Sequence, residues 1–121
     1  MVTVNLKNEV YVEKEKFAGD YQILETVNGK PSWKSVTTIN AIWFLPVQNN
    51  WMIGYRSKLG EDDGQIYASN DYEEGLLDIQ NIWKYTVDNG SWITPSSSND
   101  VIITCSTGKN LQNIFGQNLL G

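Results

Sequence analysis

Hydrophobic and polar residues alternate along much of this chain with the two-residue period of a β-strand. Near the N-terminus, Val2, Val4 and Leu6 alternate with polar residues, and Trp83 and Tyr85 repeat the pattern later in the chain. Successive side chains of a strand point to opposite faces of its sheet. The alternation therefore predicts strands that are buried on one face, with these apolar residues in a shared core.

Three polar segments interrupt the apolar runs, and each contains asparagine. They are Asn28-Gly29, residues 48–50, and Asp88-Asn89-Gly90. The runs they separate are 20–27 from 30–38, 39–47 from 51–55, and 82–87 from 91–93. Asparagine and glycine tolerate the positive φ of tight hairpin turns. The pattern predicts three antiparallel β-hairpins, and a tryptophan follows each turn: Trp33, Trp51 and Trp92.

The rest of the chain supplies two further strands and a tail. Val101–Cys105 is a compact β-branched run that we expect to be a central strand, and residues 65–68 suggest a shorter strand at an edge. The tail has apolar residues at helical spacing, which predicts a short C-terminal helix. These residues are Leu111, Ile114, Phe115 and Leu119.

Together these elements predict a single all-β domain over residues 1–121, with a β core at 1–105 and a tail at 106–121. The predicted architecture is an antiparallel, hairpin-built sheet in the form of a small sandwich or a barrel-like fold. Apolar residues make up 40% of the chain, which includes five Trp, six Tyr and three Phe. This is enough bulk for a packed core without disulfide or metal cross-links.

Charge and cysteine content narrow the classes of protein. A net charge of −5 without a Lys/Arg cluster argues against a nucleic-acid partner. No apolar run approaches the roughly 20 residues that span a bilayer. Cys105 is the only cysteine, so an intrachain disulfide cannot form and a cytoplasmic location is favoured. A secreted protein whose signal peptide has been removed would show the same features, so secretion stays the alternative.

Histidine is absent from the chain, which removes histidine acid–base catalysis, Ser-His-Asp and Cys-His sites, and most zinc and iron sites. Cys105 lies in an apolar strand, where we expect a buried, inert thiol. The sequence therefore predicts a protein without enzymatic activity.

The stretch 61–78 is acidic and contains no lysine or arginine. Its candidate cation ligands are Glu61, Asp62, Asp63 and Asp71. Carboxylates with loop carbonyls suit calcium, which takes six to eight oxygen ligands. If Gly64 is the glycine at the sixth position of an EF-hand loop, Leu59 falls at the first position, where a carboxylate ligand is needed. The sequence therefore does not fit an EF-hand. Two interpretations stay open: a calcium loop of another kind, or a solvated loop that keeps the protein soluble.

Aromatic residues near the hairpin tips indicate a binding surface. An indole ring stacks on the apolar face of a sugar while asparagine bonds the hydroxyl groups. The candidate ligand-binding residues are Trp51, Trp92, Asn89 and Tyr55. We expect Trp51 and Trp92 to be partly exposed because they lie nearest the turns. The alternative is that these rings fill the core.

The order of these segments resembles a tryptophan-rich β module that recurs, often in tandem, in predicted proteins of protists and marine invertebrates. The matching segments are Gly19-Asp20-Tyr21, residues 27–33, residues 51–54, Trp83, residues 89–92 and the Val101–Cys105 strand, so the resemblance covers about residues 17–105. It implies an extracellular module with no assigned activity. Many members carry a cysteine near the position of Met52, and this chain does not.

Three hypotheses for function follow. The first is a non-enzymatic binding module for a carbohydrate or a protein surface. The second is an assembly protein whose apolar tail docks on a partner or on a second copy of the chain. The third is a calcium-dependent module that uses the acidic stretch, and no other cofactor is expected.

Overall fold

The structure is a computed structural model that describes residues 1–69, 76, 82–88 and 90–105. The predicted C-terminal helix, with Leu111, Ile114, Phe115 and Leu119, lies outside the described residues. So do Asn89 and Asp71.

The described chain forms nine strands, one α-helix and three 3₁₀ turns. The strands are β1 (Val2–Leu6), β2 (Gly19–Val27), β3 (Lys30–Ser35), β4 (Asn40–Leu45), β5 (Asn50–Tyr55), β6 (Ile66–Ser69), β7 (Ile82–Thr86), β8 (Trp92–Ile93) and β9 (Val101–Cys105). The helix α1 covers Asn8–Lys14, and the 3₁₀ turns cover Glu15–Phe17, Arg56–Lys58 and Ser98–Asp100. None of these helices is long and apolar enough to cross a membrane.

All nine strands belong to one antiparallel sheet with the order β8-β7-β6-β5-β4-β3-β2-β1-β9. The two edge strands, β8 and β9, are joined by residues 94–100 alone. The eight steps from Ile93 to Val101 span at most about 28 Å. Nine flat strands would place those edges about 38 Å apart. The sheet is accordingly curled into a half-barrel, which confirms the barrel-like alternative over the sandwich.

The three predicted hairpins are present. Asn28 and Gly29 both have positive φ, +55° and +85°, in the turn between β2 and β3. In the second hairpin the turn occupies residues 46–49, where Asn49 has a φ of +55°. In the third, the Gly90 amide donates to the Val87 carbonyl at 2.8 Å.

Two expectations about strand position are wrong. The β-branched strand β9 lies at an edge of the described sheet, and β6 lies inside it between β5 and β7. Ile102 and Ile103 of β9 are only partly buried. Cys105, expected to be buried, is also partly exposed. A run of β-branched residues favours a strand but does not determine how many neighbours that strand has.

The main core fills the concave side of the half-barrel and includes Tyr21, Ile42 and Ile53, none of which is exposed. Helix α1 closes one end of this core with Val10, which is fully buried. Side-chain hydrogen bonds hold this end in place. They run from Asn8 to the Asp100 carboxylate at 2.8 Å, from Lys14 to the Gln65 amide oxygen at 2.9 Å, and from Asn40 to the Lys16 carbonyl at 2.7 Å.

A second, smaller cluster lies on the convex face of β4 and β5. It consists of Ala41, Trp43, Leu45 and Met52. The connection from β5 to β6, residues 56–65, lies over this cluster, where Trp43 donates its indole N–H to the Glu61 carbonyl at 3.0 Å. Both faces of β4 and β5 are therefore covered, and every residue of β4 is buried.

Candidate functional site

A depression of about 420 Å³ opens on the convex face, beside the connection 56–65. The described residues that line it are Gln48, Asn50, Met52, Asp62, Tyr67 and Trp92. They come from the second hairpin, the covering connection, β6 and β8. The depression therefore combines parts of the chain that are distant in sequence.

Strand register brings the lining residues together. Met52 of β5 pairs with Tyr67 of β6, and Thr86 of β7 pairs with Trp92 of β8. Because paired residues share a face, Met52 and Tyr67 both point to the convex side. The neighbours Trp51 and Ile53 point to the concave core.

The aromatic side of the depression is formed by Tyr67 and Trp92. Their ring centroids lie 4.5 Å apart with an interplanar angle of 82°, which is a favourable edge-to-face arrangement. Trp92 is 41% exposed although it is held by this contact. The aromatic side of the depression thus exposes a large ring surface to solvent in a fixed orientation.

The polar side is a chain of three hydrogen-bonded side chains. Asn50 donates from Nδ2 to Gln48 Oε1 at 2.9 Å, and Gln48 donates from Nε2 to Asp62 Oδ2 at 2.9 Å. Asn50 is only 4% exposed, and its Oδ1 has no hydrogen-bond donor among the described residues. A buried acceptor without a donor costs about 1–3 kcal/mol.

The structure brings together only part of the predicted ligand-binding set. Trp92 is exposed, as expected. The expectation for Trp51 is wrong, because this ring is 3% exposed and packs on Trp33 and Phe44 with centroid distances of 6.0 and 5.1 Å. Tyr55 lies at the closed end of the barrel, where its ring contacts Phe17 at 5.4 Å. Proximity to a turn in sequence does not decide which face of the sheet a side chain occupies.

The acidic residues of the connection 56–65 mainly make contacts within the protein. Asp62 accepts from Gln48, Asp63 lies 3.6 Å from the Lys58 ammonium, and the Glu61 carbonyl accepts from Trp43. Within residues 1–69, 76, 82–88 and 90–105, no three acidic or cysteine side chains are grouped closely enough to hold a metal ion. The calcium hypothesis includes Asp71, outside these ranges, and stays a prediction.

A second cleft, of about 320 Å³, lies between α1 and the β7–β8 hairpin. It is lined by Glu9, Val12, Glu13, Tyr85, Val87 and Ile93. Burial raises the pKa of Tyr85, and the negative charges of Glu9 and Glu13 raise it further. The cleft therefore combines an apolar floor with a negative rim.

No protein-family model, curated protein or solved structure matches this chain. The resemblance to the tryptophan-rich module stays a prediction, and the site is interpreted from its own chemistry.

The sequence does not identify four residues of the depression as candidate site residues: Gln48, Asn50, Met52 and Tyr67. Its pattern places Gln48 and Asn50 in a turn and Tyr67 in a short strand. The signal available in the sequence is the alternation of Asn50 and Met52 against the apolar Trp51 and Ile53, which places a polar residue on the face opposite the core.

Proposed function

We propose that this protein is a non-enzymatic carbohydrate-binding module whose site is the convex depression. The observation that carries the proposal is the pairing of the exposed, oriented Trp92 ring with the polar chain of Asn50, Gln48 and Asp62 in one depression. A pyranose has an apolar face and a rim of hydroxyl groups, and this lining complements both.

The geometry supports a preformed site. Tyr67 holds the Trp92 ring, and the three polar side chains hold one another by hydrogen bonds. Side chains that are fixed before binding lose little conformational entropy when the ligand arrives. The open, shallow form suits a sugar unit within a longer chain, which can continue across the convex face.

The first test is a glycan array followed by calorimetric titration of the best ligand with the wild type and with Trp92→Ala. Removing an exposed stacking ring is expected to weaken binding at least about tenfold, because aromatic contacts at binding sites contribute on the order of 1–3 kcal/mol. The unfolding midpoint should change little, since Trp92 lies outside both core clusters.

Ile39→Ala is the matched control, because Ile39 is 67% exposed and does not line the depression. This variant should bind like the wild type. Equal affinity of Trp92→Ala and wild type would contradict the proposal, as would the absence of binding to every sugar class.

A protein segment is the second candidate ligand, and the cleft between α1 and β7–β8 favours it. Val12 is 77% exposed above an apolar floor, between two glutamates one helical turn apart. A segment with a lysine or arginine would place its aliphatic stem on Val87 and Ile93 and its charge on Glu9 and Glu13. Binding of a basic peptide library that Glu13→Gln does not weaken would contradict this candidate.

The other two hypotheses have tests of their own. Deleting residues 109–121 and measuring the mass in solution tests self-assembly through the tail, which predicts a loss of oligomer. Unfolding with calcium and with EDTA tests the cation hypothesis, which predicts a higher midpoint with calcium because a ligand of the native state stabilises it.

A further inference from the structure

The direction of the hydrogen bonds along the polar side of the depression is fixed by the charge at one end. An ionised carboxylate accepts hydrogen bonds and donates none. Asp62 therefore requires a donor from Gln48, which must present its amide nitrogen there, at 2.9 Å. Gln48 Oε1 is then left to accept from Asn50 Nδ2, also at 2.9 Å.

This ordering leaves Asn50 Oδ1 as the unsatisfied atom at the buried end of the chain. The reverse orientation of the two amides would put Gln48 Oε1 against the Asp62 carboxylate, where two acceptors repel each other. That Asn50 oxygen is buried, so the acceptor that the depression presents to a ligand is the exposed Asp62 carboxylate, whose second oxygen can accept a further bond. The Trp92 indole and the Tyr67 hydroxyl add neutral groups and do not offset the negative charge.

We infer that the depression selects neutral or amino sugars and rejects acidic ones. The inference rests on the proposed function, since it specifies the sugar class of the same site. Hydroxyl or ammonium groups of the ligand donate to the exposed Asp62 carboxylate, which accepts from Gln48 through Oδ2 and keeps Oδ1 for the ligand. A uronate or sulfate group would bring a second negative charge beside Asp62, and the lining residues that the structure describes include no lysine or arginine to balance it.

The test compares polysaccharides that differ only in charge. Polygalacturonate and mannuronan are each compared with the carboxyl-reduced form, which keeps the linkage and replaces the carboxylate by a hydroxymethyl group. Chitosan oligosaccharides supply the amino sugar. The wild type should bind at least one neutral or amino member, and about tenfold or more tightly than the acidic counterpart.

Asp62→Asn is the decisive variant, because an amide at this position can donate and so permits the Gln48 and Asn50 amides to reverse. Its affinity for the neutral ligand should fall about tenfold and its discrimination against the acidic form should decrease. Asp63→Asn is the matched control. It removes the same charge from the neighbouring residue, which faces Lys58 and does not line the depression.

The outcomes separate the two claims. Tighter binding of the acidic members, or identical selectivity of Asp62→Asn and Asp63→Asn, would overturn the inference while leaving a sugar site in place. No binding to any sugar by the folded wild type would overturn the proposed function itself. Both variants should unfold at midpoints close to that of the wild type. Differences in affinity then reflect binding and not loss of the fold.

Discussion

At the scale of single residues, Asn28 has two roles that the sequence shows only in part. Its φ of +55° serves the hairpin turn, as the Asn-Gly pair predicts. Its side chain also donates to the Phe44 carbonyl at 2.9 Å and the Gly60 carbonyl at 3.2 Å, which ties the turn to the connection over the convex face. The turn chemistry is local and could be predicted. The two long-range hydrogen bonds depend on how the sheet curls and could not.

Two substitutions separate these roles. Asn28→Gly keeps the backbone conformation and removes the amide, so we expect a loss of about 1–2 kcal/mol in the free energy of unfolding. Asn28→Ala should lose about 1 kcal/mol more, because alanine is strained at positive φ. Urea denaturation measures both values. Wild-type stability in the glycine variant would show that the two hydrogen bonds do not contribute.

At the scale of elements, the close approach of β5 to the connection 56–65 depends on glycine. A Cβ atom at Gly54 would lie 3.1 Å from both Gly64 Cα and the Trp43 ring. The Trp43 side chain is fully buried, so it has little room to move. We expect Gly54→Ala to destabilise the protein by about 1–3 kcal/mol, as overpacking does.

Gly64→Ala is the comparison for this prediction. Its Cβ would lie 2.7 Å from the Met52 sulfur, 3.3 Å from Met52 Cβ and 3.4 Å from the Ile53 carbonyl oxygen. Because Met52 is buried and rotation of its thioether does not relieve the other two contacts, we expect a loss of similar size. Thermal and urea unfolding of the two variants measure both losses. A Gly54→Ala variant as stable as the wild type would contradict the close packing of the connection on the sheet.

Among the elements, the hairpins could be predicted and helix α1 could not. The hairpin signals are confined to two or three turn residues. Helix α1 has only seven residues, carries Val10, Tyr11 and Val12 in succession, and has no side-chain cap at Lys7. Such a segment favours a strand by local preference. It is helical here because Val10 is buried across the end of the half-barrel.

At the scale of the whole molecule, two buried ionisable residues, Lys14 and Tyr21, contribute to the pH dependence of stability in opposite directions. Burial lowers the pKa of Lys14 and raises that of Tyr21. In the unfolded chain these groups titrate near 10.4 and 10. Below the folded-state pKa of Lys14, the burial of its charge lowers the free energy of unfolding by the full amount. This loss of stability decreases as the pH rises toward 10.4. Tyr21 stays protonated in the folded protein, so it does not reduce the free energy of unfolding below about pH 10. Above that pH the unfolded chain releases a proton that the folded chain keeps, and the free energy of unfolding falls.

Urea denaturation between pH 7 and 11 measures this profile. Lys14→Met should make the free energy of unfolding rise less, or fall more, between pH 7 and 10 than it does in the wild type. Tyr21→Phe should reduce the fall above that pH, and should cost about 1 kcal/mol at pH 7 through loss of its 2.7 Å hydrogen bond to the Phe17 carbonyl. A profile that these substitutions leave unchanged would contradict the burial of the two groups.

The convex depression also belongs to the molecular scale, since four separate segments meet there. The sequence predicts that Trp92 is exposed at a hairpin, because the turn is local. It does not predict that Gln48, Asp62 and Tyr67 lie beside that ring, because their meeting depends on the pairing of β5 with β6 and of β7 with β8. The site is thus a product of the register of the sheet.

The most direct test of the account is an NMR titration that follows the five tryptophan indole resonances as the best glycan of the array is added. Trp92→Phe assigns one of them. A carbohydrate site on the convex face predicts that the Trp92 resonance shifts most, while those of Trp33, Trp51 and Trp83 in the concave core stay nearly constant. Saturable shifts confined to the core resonances, or to backbone amides of α1 beside the second cleft, would contradict a carbohydrate site on the convex face.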